Sequence, residues 1–209
     1  MSSSVTRRTR NARGSGAQLR SEIVQAARGL LIETGAESAV TLRAVARRVG
    51  IAAPSIYTHF DSPEQIVQAV VTETFSLLEA RIDDARRAAA TPRDRLIAGC
   101  RAYLAFGAEH SALYGLLFAR DRRPDPPPTH PPGIADIDGS RPFQLLMHGT
   151  QDCIDDGSSS ADSALETAVQ IWVALHGLVQ LRANEPDFPW PDADRTEVEL
   201  IIRLGRLTS

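Results

Sequence analysis

The side chains best suited to chemistry in this 209-residue chain crowd into one short stretch. Thr41, Arg43, Pro54, Ser55, Tyr57, Thr58 and His59 all fall between positions 41 and 59. Hydroxyl, imidazole and guanidinium groups bond phosphate oxygens or base edges, and the Pro54 and Tyr57 surfaces can meet thymine methyls. Covalent chemistry has no comparable set of residues. There is no Gly-x-Ser-x-Gly elbow, no Gly-rich phosphate loop and no Cys/His pairing. The stretch therefore predicts binding rather than catalysis: no enzyme, no cofactor and no bound metal are expected.

Two short helices must position these groups. Thr41 is suited to cap the first, because its hydroxyl can accept an orphan N–H. Leu42, Val45, Ala46 and Val49 then recur at helical spacing. Gly50 ends the helix, since glycine reaches the left-handed region without a Cβ clash. Ile51 is expected to drop into the core. Pro54 sits early in the second helix, where it has no N–H to lose. Ile56 and Phe60 are expected to point inward, leaving Ser55, Tyr57, Thr58 and His59 outside. These are the demands of a helix-turn-helix whose second helix enters the major groove.

The run TLRAVARRVGIAAPSIYTHF, followed by DSPEQI, resembles the DNA-binding signature of the TetR (tetracycline-repressor-like) family over about Leu19 to Val71. Small residue, glycine, Pro-Ser and Tyr-x-His-Phe occur in that order. IWVALHGLVQL, from Ile171 to Leu181, resembles the Trp-His-Gly stretch in the ligand domain of a subset of that family. The resemblance implies phosphate contacts at Thr41, Tyr57 and His59. It also implies a ligand-responsive transcriptional regulator, most often a repressor. Such a protein binds a palindromic double-stranded operator as a homodimer and is released by a small-molecule effector. Two features depart from the pattern. Pro63 stands where the family usually has a phosphate-directed lysine, although the free N–H groups of that helix start remain available. Ala52 and Ala53 stand where polar residues are frequent, which shifts the expected readout toward backbone and DNA shape.

Charge is divided along the chain. Nine arginines against three glutamates give residues 1–60 a charge of +6, so a net −3 leaves −9 for residues 61–209. Basic charge collected at one end is the footprint of nucleic-acid binding. All 23 basic residues are arginine, which we read as genome composition. No apolar run approaches the length of a membrane span and residues 1–17 are polar and basic, so no membrane contact and a cytoplasmic location are expected. Cys100 and Cys153 have no disulfide or metal spacing and read as core thiols.

Helical periodicity runs through the whole chain, and no period-two pattern persists. The expected fold is all-α with about nine helices. The expected divisions are a basic disordered arm (1–17), a helix-turn-helix domain (18–62) and a ligand-binding and dimerisation domain (63–209). Helices are predicted over 19–34, from Ser62-Pro63 to about Ala90, from Thr91 through Phe106, over 110–119, 141–153 and 161–183, and from an Asp194 cap to Leu207. Residues 122–140 hold six of the chain's 13 prolines and read as a loop, with a polyproline ligand for a partner as the alternative. The helix at 161–183 has two apolar faces: Leu165, Val169, Trp172 and His176 on one, and Ala164, Ile171, Leu175, Leu178 and Leu181 on the other. One face suits its own domain, and the other suits a second copy joined through the two C-terminal helices, with Gly177 permitting close approach.

Tyr103, Phe106, His110, Tyr114, Phe118, Phe143, Met147, His148, Trp172 and His176 concentrate rings and imidazoles in four helices. They are the expected pocket for a small apolar or amphipathic effector. For each of them the alternative is ordinary core packing, and for His110, His148 and His176 a metal site, although their spacing is not diagnostic. The competing function is a small-molecule-binding or catalytic helical protein with a vestigial helix-turn-helix. An activator or a global DNA-coating regulator is a third.

Overall fold

Side-chain caps at Thr41, Thr91, Ser163 and Asp192 start four of the α-helices. The computed structural model describes residues 15–118 and 141–208. The arm before Ser15 and the proline-rich loop, with His130, lie outside the described residues. The chain divides into two compact units, 1–70 and 71–209.

In the first unit α1 spans Ser15–Thr34 and α2 spans Leu42–Val49. A single 3-10 turn, Glu37–Ala39, lies between them. Thr41 Oγ1 accepts from the Ala44 N–H at 3.1 Å, and Gly50 closes α2 at φ 77° with its N–H on the Ala46 carbonyl. A six-residue 3-10 helix, Ala53–Thr58, follows with its proline near the start. α1 buries Ile23, Val24, Ala26, Ala27 and Leu31, while α2 buries Val45 and Ala46. Ile56 and Phe60 complete this core from the 3-10 helix and its end. Ile51 is only half-buried, not the core residue expected. α3, Pro63–Arg87, contributes Ile66, Val67 and Val70 to this unit and the rest of its length to the second. Its start is a capping box displaced by one residue: Gln65 N–H bonds Ser62 Oγ at 3.4 Å, while Gln65 Oε1 accepts from the Asp61 N–H at 2.9 Å.

The second unit is a helical bundle around α4, Pro92–Glu109. α4 packs on α5 (Ser111–Leu117), α6 (Arg141–Asp155), α7 (Ala164–Asn184) and α8 (Ala193–Leu204). Small residues set these crossings. A Cβ on Gly107 would lie 2.5 Å from Val179 Cγ1, so α4 and α7 touch backbone to side chain there. Gly99 makes similar room for the Arg86 stem. The described residues are all-α: eight α-helices, the 3-10 helix at 53–58 and the single turn at 37–39.

Several boundaries differ from the sequence expectations. α1 begins at Ser15 and α3 stops at Arg87, three residues short. Asp192, not Asp194, caps α8, because only Asp192 Oδ1 lies three residues before the N–H it accepts, that of Arg195, at 2.9 Å. Asp194 sits in the first turn instead, where its charge meets the helix dipole and the Arg101 guanidinium. α8 ends at Leu204, since the next residues turn back to pair with the 155–160 break. Thr208 N–H donates to the Ser158 carbonyl at 2.9 Å, and Ser159 Oγ donates to the Gly205 carbonyl at 2.7 Å. α7 begins three residues later than expected and ends at Asn184, and by length and composition alone it passes as a membrane span. The core helix of a bundle has the same composition, and Ile171, Leu175 and Val179 are buried within the unit. Its faces are rotated from the predicted ones. Leu165, Val169, Val173 and Leu181 form the exposed stripe, and Trp172 and His176 lie between the two faces.

Gly107→Ala is expected to cost about 1–3 kcal/mol, because Val179 is buried and cannot move aside. Gly115→Ala, where nothing lies within 4 Å of the new Cβ, should be neutral or slightly stabilising. Urea unfolding midpoints of the two variants test the contrast.

Candidate functional site

In the first unit each predicted DNA-facing group is exposed or half-buried, and none is in the core. Tyr57 is 59% exposed, while its neighbour Ile56 is fully buried. Pro54 and Thr58 are exposed, and Ser55 and His59 are half-buried beside them. The Thr58 hydroxyl donates to the Ser55 carbonyl at 2.8 Å, which leaves its oxygen lone pairs outward. Thr41 is exposed with its hydroxyl engaged as the helix cap, and Arg43 stands exposed in the first turn of α2. Arg43 and Arg47 have no ion-pair partner among the described residues.

Two contacts in this unit join side chains far apart in the sequence. Arg20 of α1 stacks its guanidinium 4.8 Å above the Phe60 ring, next to His59. Arg48 makes a two-pronged bond to Glu33, at 2.6 and 2.5 Å, over the cleft left by Gly29. That bond is the main reason the Glu33 carboxyl is held below its usual range and the Arg48 guanidinium above its own. Arg48 is thereby committed inside the unit, unlike Arg43. Nothing in the spacing of Gly29, Glu33 and Arg48 announces the pair, since it joins two helices.

In the second unit the predicted ring cluster is partly assembled. Tyr103 and Tyr114 meet edge to face with centroids 5.8 Å apart, and their hydroxyls are 2.5 Å apart. Tyr114 Oη lies 2.7 Å from His176 Nδ1. Phe118 packs on His176 at 4.6 Å, and Trp172 sits between His176 at 6.2 Å and Phe143 at 5.7 Å. Phe106 instead pairs with His110 at the α4–α5 junction, 4.7 Å apart. Met147 and His148 are not part of the cluster. They line a separate groove of about 420 Å³ with Gln151, Ile154 and the start of α7. His110, His148 and His176 therefore do not converge, and no group of three metal-ligating side chains forms among the described residues.

A larger groove, about 720 Å³, lies elsewhere in this unit. Its floor is Ala98, Ala102, Ala105 and Gly107 of α4 with Val179 of α7, and its rim carries three arginines. Each arginine is already answered: Arg81 by Glu109, Arg101 by Asp194, and Arg182 by Glu197. A search guided by aromatic residues passes over it. The available signal is the run of small residues at helical spacing on α4.

Burial sets the protonation of the cluster. It pushes Tyr103 up to about 12 and Tyr114 up as well, so both stay protonated near neutrality. It pushes His176 below its ordinary 6.5, so the folded ring is neutral. Cys100, also buried, is raised to about 12 and is an inert thiol.

With this geometry in place, comparison with known proteins gives two family matches. Residues 23–70 match the model for bacterial regulatory proteins of the tetR family, and residues 96–203 match the tetracyclin repressor-like C-terminal domain. No protein of curated function matches the chain by sequence. Among solved structures, one from Rhodococcus sp. RHA1, of unknown function, is similar at TM-score 0.70 and 21% identity, covering 90% of this chain and 91% of that one. A tetR-family regulatory protein from Rhodococcus RHA1 is similar at TM-score 0.69 and 18% identity, covering 91% and 98%. Bacillus subtilis FadR, solved with stearoyl-CoA, is similar at TM-score 0.69 and 15% identity, covering 88% and 96%.

The histidine result carries a pH prediction. A neutral folded His176 becomes a stronger base on unfolding, so the unfolded chain binds more protons below 6.5. The stabilisation is complete above 6.5 and is lost as pH falls below it. Thermal melting of the wild type should therefore drop from pH 7 to pH 5, and His176→Gln should flatten that part of the curve. The carboxylates with lowered values act only below their ordinary 4.5 and 3.8, outside this window.

Proposed function

Since the chain belongs to the TetR family of bacterial regulatory proteins, we propose that it is a repressor that grips a palindromic operator as a homodimer and lets go when a small molecule occupies its second unit. Membership makes it a transcriptional regulator of the ligand-responsive kind. The observation that carries the finer reading is the exposed Tyr57 on a helix anchored from below by Ile56 and Phe60. A large amphipathic ring held outward on a rigid support is suited to phosphate and methyl contacts in a major groove. Thr41, Arg43, Pro54, Ser55, Thr58 and His59 surround it as the remaining contacts.

The dimer is argued from α7. Leu165, Val169, Val173 and Leu181 leave an aliphatic stripe in solvent, and no atom lies within 4 Å of a Cβ built on Gly177. A second copy covering that stripe would hold two recognition helices roughly 34–36 Å apart, one helical turn of DNA. α3 is a single helix of 25 residues that begins directly after the helix-turn-helix, so it is the element through which an effector would change that spacing. This is allostery only if the effector binds the two spacings with different affinity. The effector is expected to be apolar or amphipathic. The ring cluster supports that reading, and so does the likeness to a regulator crystallised with stearoyl-CoA.

Binding to the duplex upstream of its own coding region, measured at two salt concentrations, tests the proposal. Affinity should fall steeply as salt rises. Tyr57→Ala should weaken operator binding by roughly 5- to 150-fold, the range of one good base or groove contact, with thermal melting unchanged. A wild-type protein that ignores the duplex at low salt, or a Tyr57→Ala variant that binds as well as the wild type, removes the reading.

A further inference from the structure

The larger groove of the second unit is open because one face of α4 is built of alanine. Ala98, Arg101, Ala102, Ala105 and Ala108 all line it, recurring three and four residues apart. They make a lane of roughly 15 Å along the helix, at about 1.5 Å per residue, with one charged side chain, Arg101, in it. Leu178 and Val179 of α7 close one side. A cavity of about 720 Å³ with mostly apolar walls and a few charges has the size and make-up of a small-molecule site. It does not face the stripe of α7 assigned to a second copy. At about 100° per residue, Leu178, Val179 and Arg182 project from the side of α7 opposite to Leu165, Val169, Val173 and Leu181.

Three ion pairs cross this groove, and they differ in what it costs to open them. Arg182 holds Glu197, whose side chain is 12% exposed, so that carboxylate is not readily released into water. Arg81 holds Glu109 through two guanidinium nitrogens, at 2.5 and 2.6 Å. Glu109 is the last residue of α4, where the negative end of the helix opposes a free carboxylate. Its bond to Arg81 is also the main reason the Glu109 carboxyl lies below its usual range. Arg101 holds Asp194 through one nitrogen and one oxygen. The Asp194 side chain is 80% exposed and stands in the first turn of α8. On release it keeps both water and the positive end of a helix. The least costly exchange is therefore a new carboxylate on Arg101, with Asp194 turned out into solvent. An ammonium ligand would need the opposite exchange, leaving Arg101 without a partner at 46% exposure.

We propose that this groove binds a small molecule carrying a single carboxylate on an apolar tail, the carboxylate displacing Asp194 from Arg101 and the tail lying along Ala105 and Ala108 toward Val179. The tail runs in that direction because Val179 packs over Gly107 and gives it an apolar wall. One charge is the limit. The three pairs sum to zero, so any negative charge beyond the one placed on Arg101 would meet uncompensated carboxylates. As the effector site of a regulator, the groove rests on reading the second unit as ligand-responsive, and it adds the chemical class.

Isothermal titration calorimetry of the full-length protein with octanoate, ionised at neutral pH, tests this. Octanoate should bind once per chain, with octanol and octylamine weaker by roughly tenfold or more. Arg101→Gln should weaken octanoate by roughly tenfold or more, the worth of a hydrogen bond to a charged group, while Arg81→Gln leaves it within about twofold. Asp194→Asn removes the competitor and should tighten octanoate by roughly two- to fivefold, the range of an exposed ion pair. A merely structural role for the Arg101–Asp194 pair would weaken binding in both variants. Ala105→Leu fills the lane and should abolish binding, and Ala108→Leu serves if that variant does not fold. No octanoate binding at millimolar concentration overturns the proposal, as does equal or tighter binding of octanol or octylamine. So does an Asp194→Asn variant that binds no better, or an Arg101→Gln variant that binds as well as the wild type. An Arg101→Gln variant with a changed subunit count in sedimentation also overturns it, since the groove would then be a contact between copies. A protein that binds its operator but not octanoate refutes this inference alone. One that binds octanoate as expected but ignores DNA refutes the regulator reading alone.

Discussion

A six-residue helix cannot hold its own shape in water, because nucleation costs more than one turn of hydrogen bonds returns. Everything this protein can offer to a DNA groove depends on meeting that constraint from outside the helix. Three devices meet it. Gly50 turns the chain in the left-handed region, Ile56 is buried under the helix, and the Ile56 carbonyl accepts from both the His59 and Phe60 N–H groups, at 2.8 and 3.0 Å. Phe60 is then pinned beneath the Arg20 guanidinium. Tyr57, one residue from Ile56 and three from Phe60, inherits their rigidity without contacting the core. A contact surface ordered before binding loses less entropy on binding, so the small helix can be effective despite its length.

The second unit meets a different constraint, the close approach of long helices. Glycines on α4 make the crossings with Val179 and the Arg86 stem possible, and alanines on the same helix leave open the groove beside α7 and α8. Close packing on one side of α7 buries Ile171, Leu175 and Val179, while its opposite stripe of aliphatics is left in water. That asymmetry explains why α7 reads as a membrane span by composition. Its apolar residues stand on both the buried and the exposed side.

Local signals were legible in the sequence and long-range ones were not. Thr41, Gly50, Thr91 and the turn at Ser62-Pro63 mark helix ends through contacts within four residues, and the structure places helix ends at each. Asp192 was passed over for Asp194 because both stand near a helix start, and only the position of the Arg195 N–H separates them. The Arg48–Glu33 bond, the Ser159–Gly205 bond and the departure of Met147 and His148 from the ring cluster all depend on how helices are rotated against one another. Periodicity gives a helix's apolar side to within about a residue. On α7 Leu165 and Val169 stay together on the exposed side and Ile171 and Leu175 on the buried side, while Trp172 and His176 leave the first group and Val173 and Leu181 join it.

The larger groove and the ring cluster of the second unit differ in their electrostatics. In the large groove all three arginines already hold carboxylates, and Glu197 is nearly buried against Arg182. A ligand that takes the Arg182 guanidinium leaves the nearly buried Glu197 without its partner, which costs several kcal/mol, whereas Glu109 and Asp194 are exposed and would be solvated. A ligand that meets the groove only through its alanines gains apolar contact but no orientation. At the ring cluster the Tyr103 and Tyr114 hydroxyls and His176 Nδ1 form one short polar chain, with steps of 2.5 and 2.7 Å. Phe118 and Trp172 lay apolar surface beside it. The groove therefore combines volume with charges that are already paired, whereas the cluster combines rings with a polar chain that carries no charge.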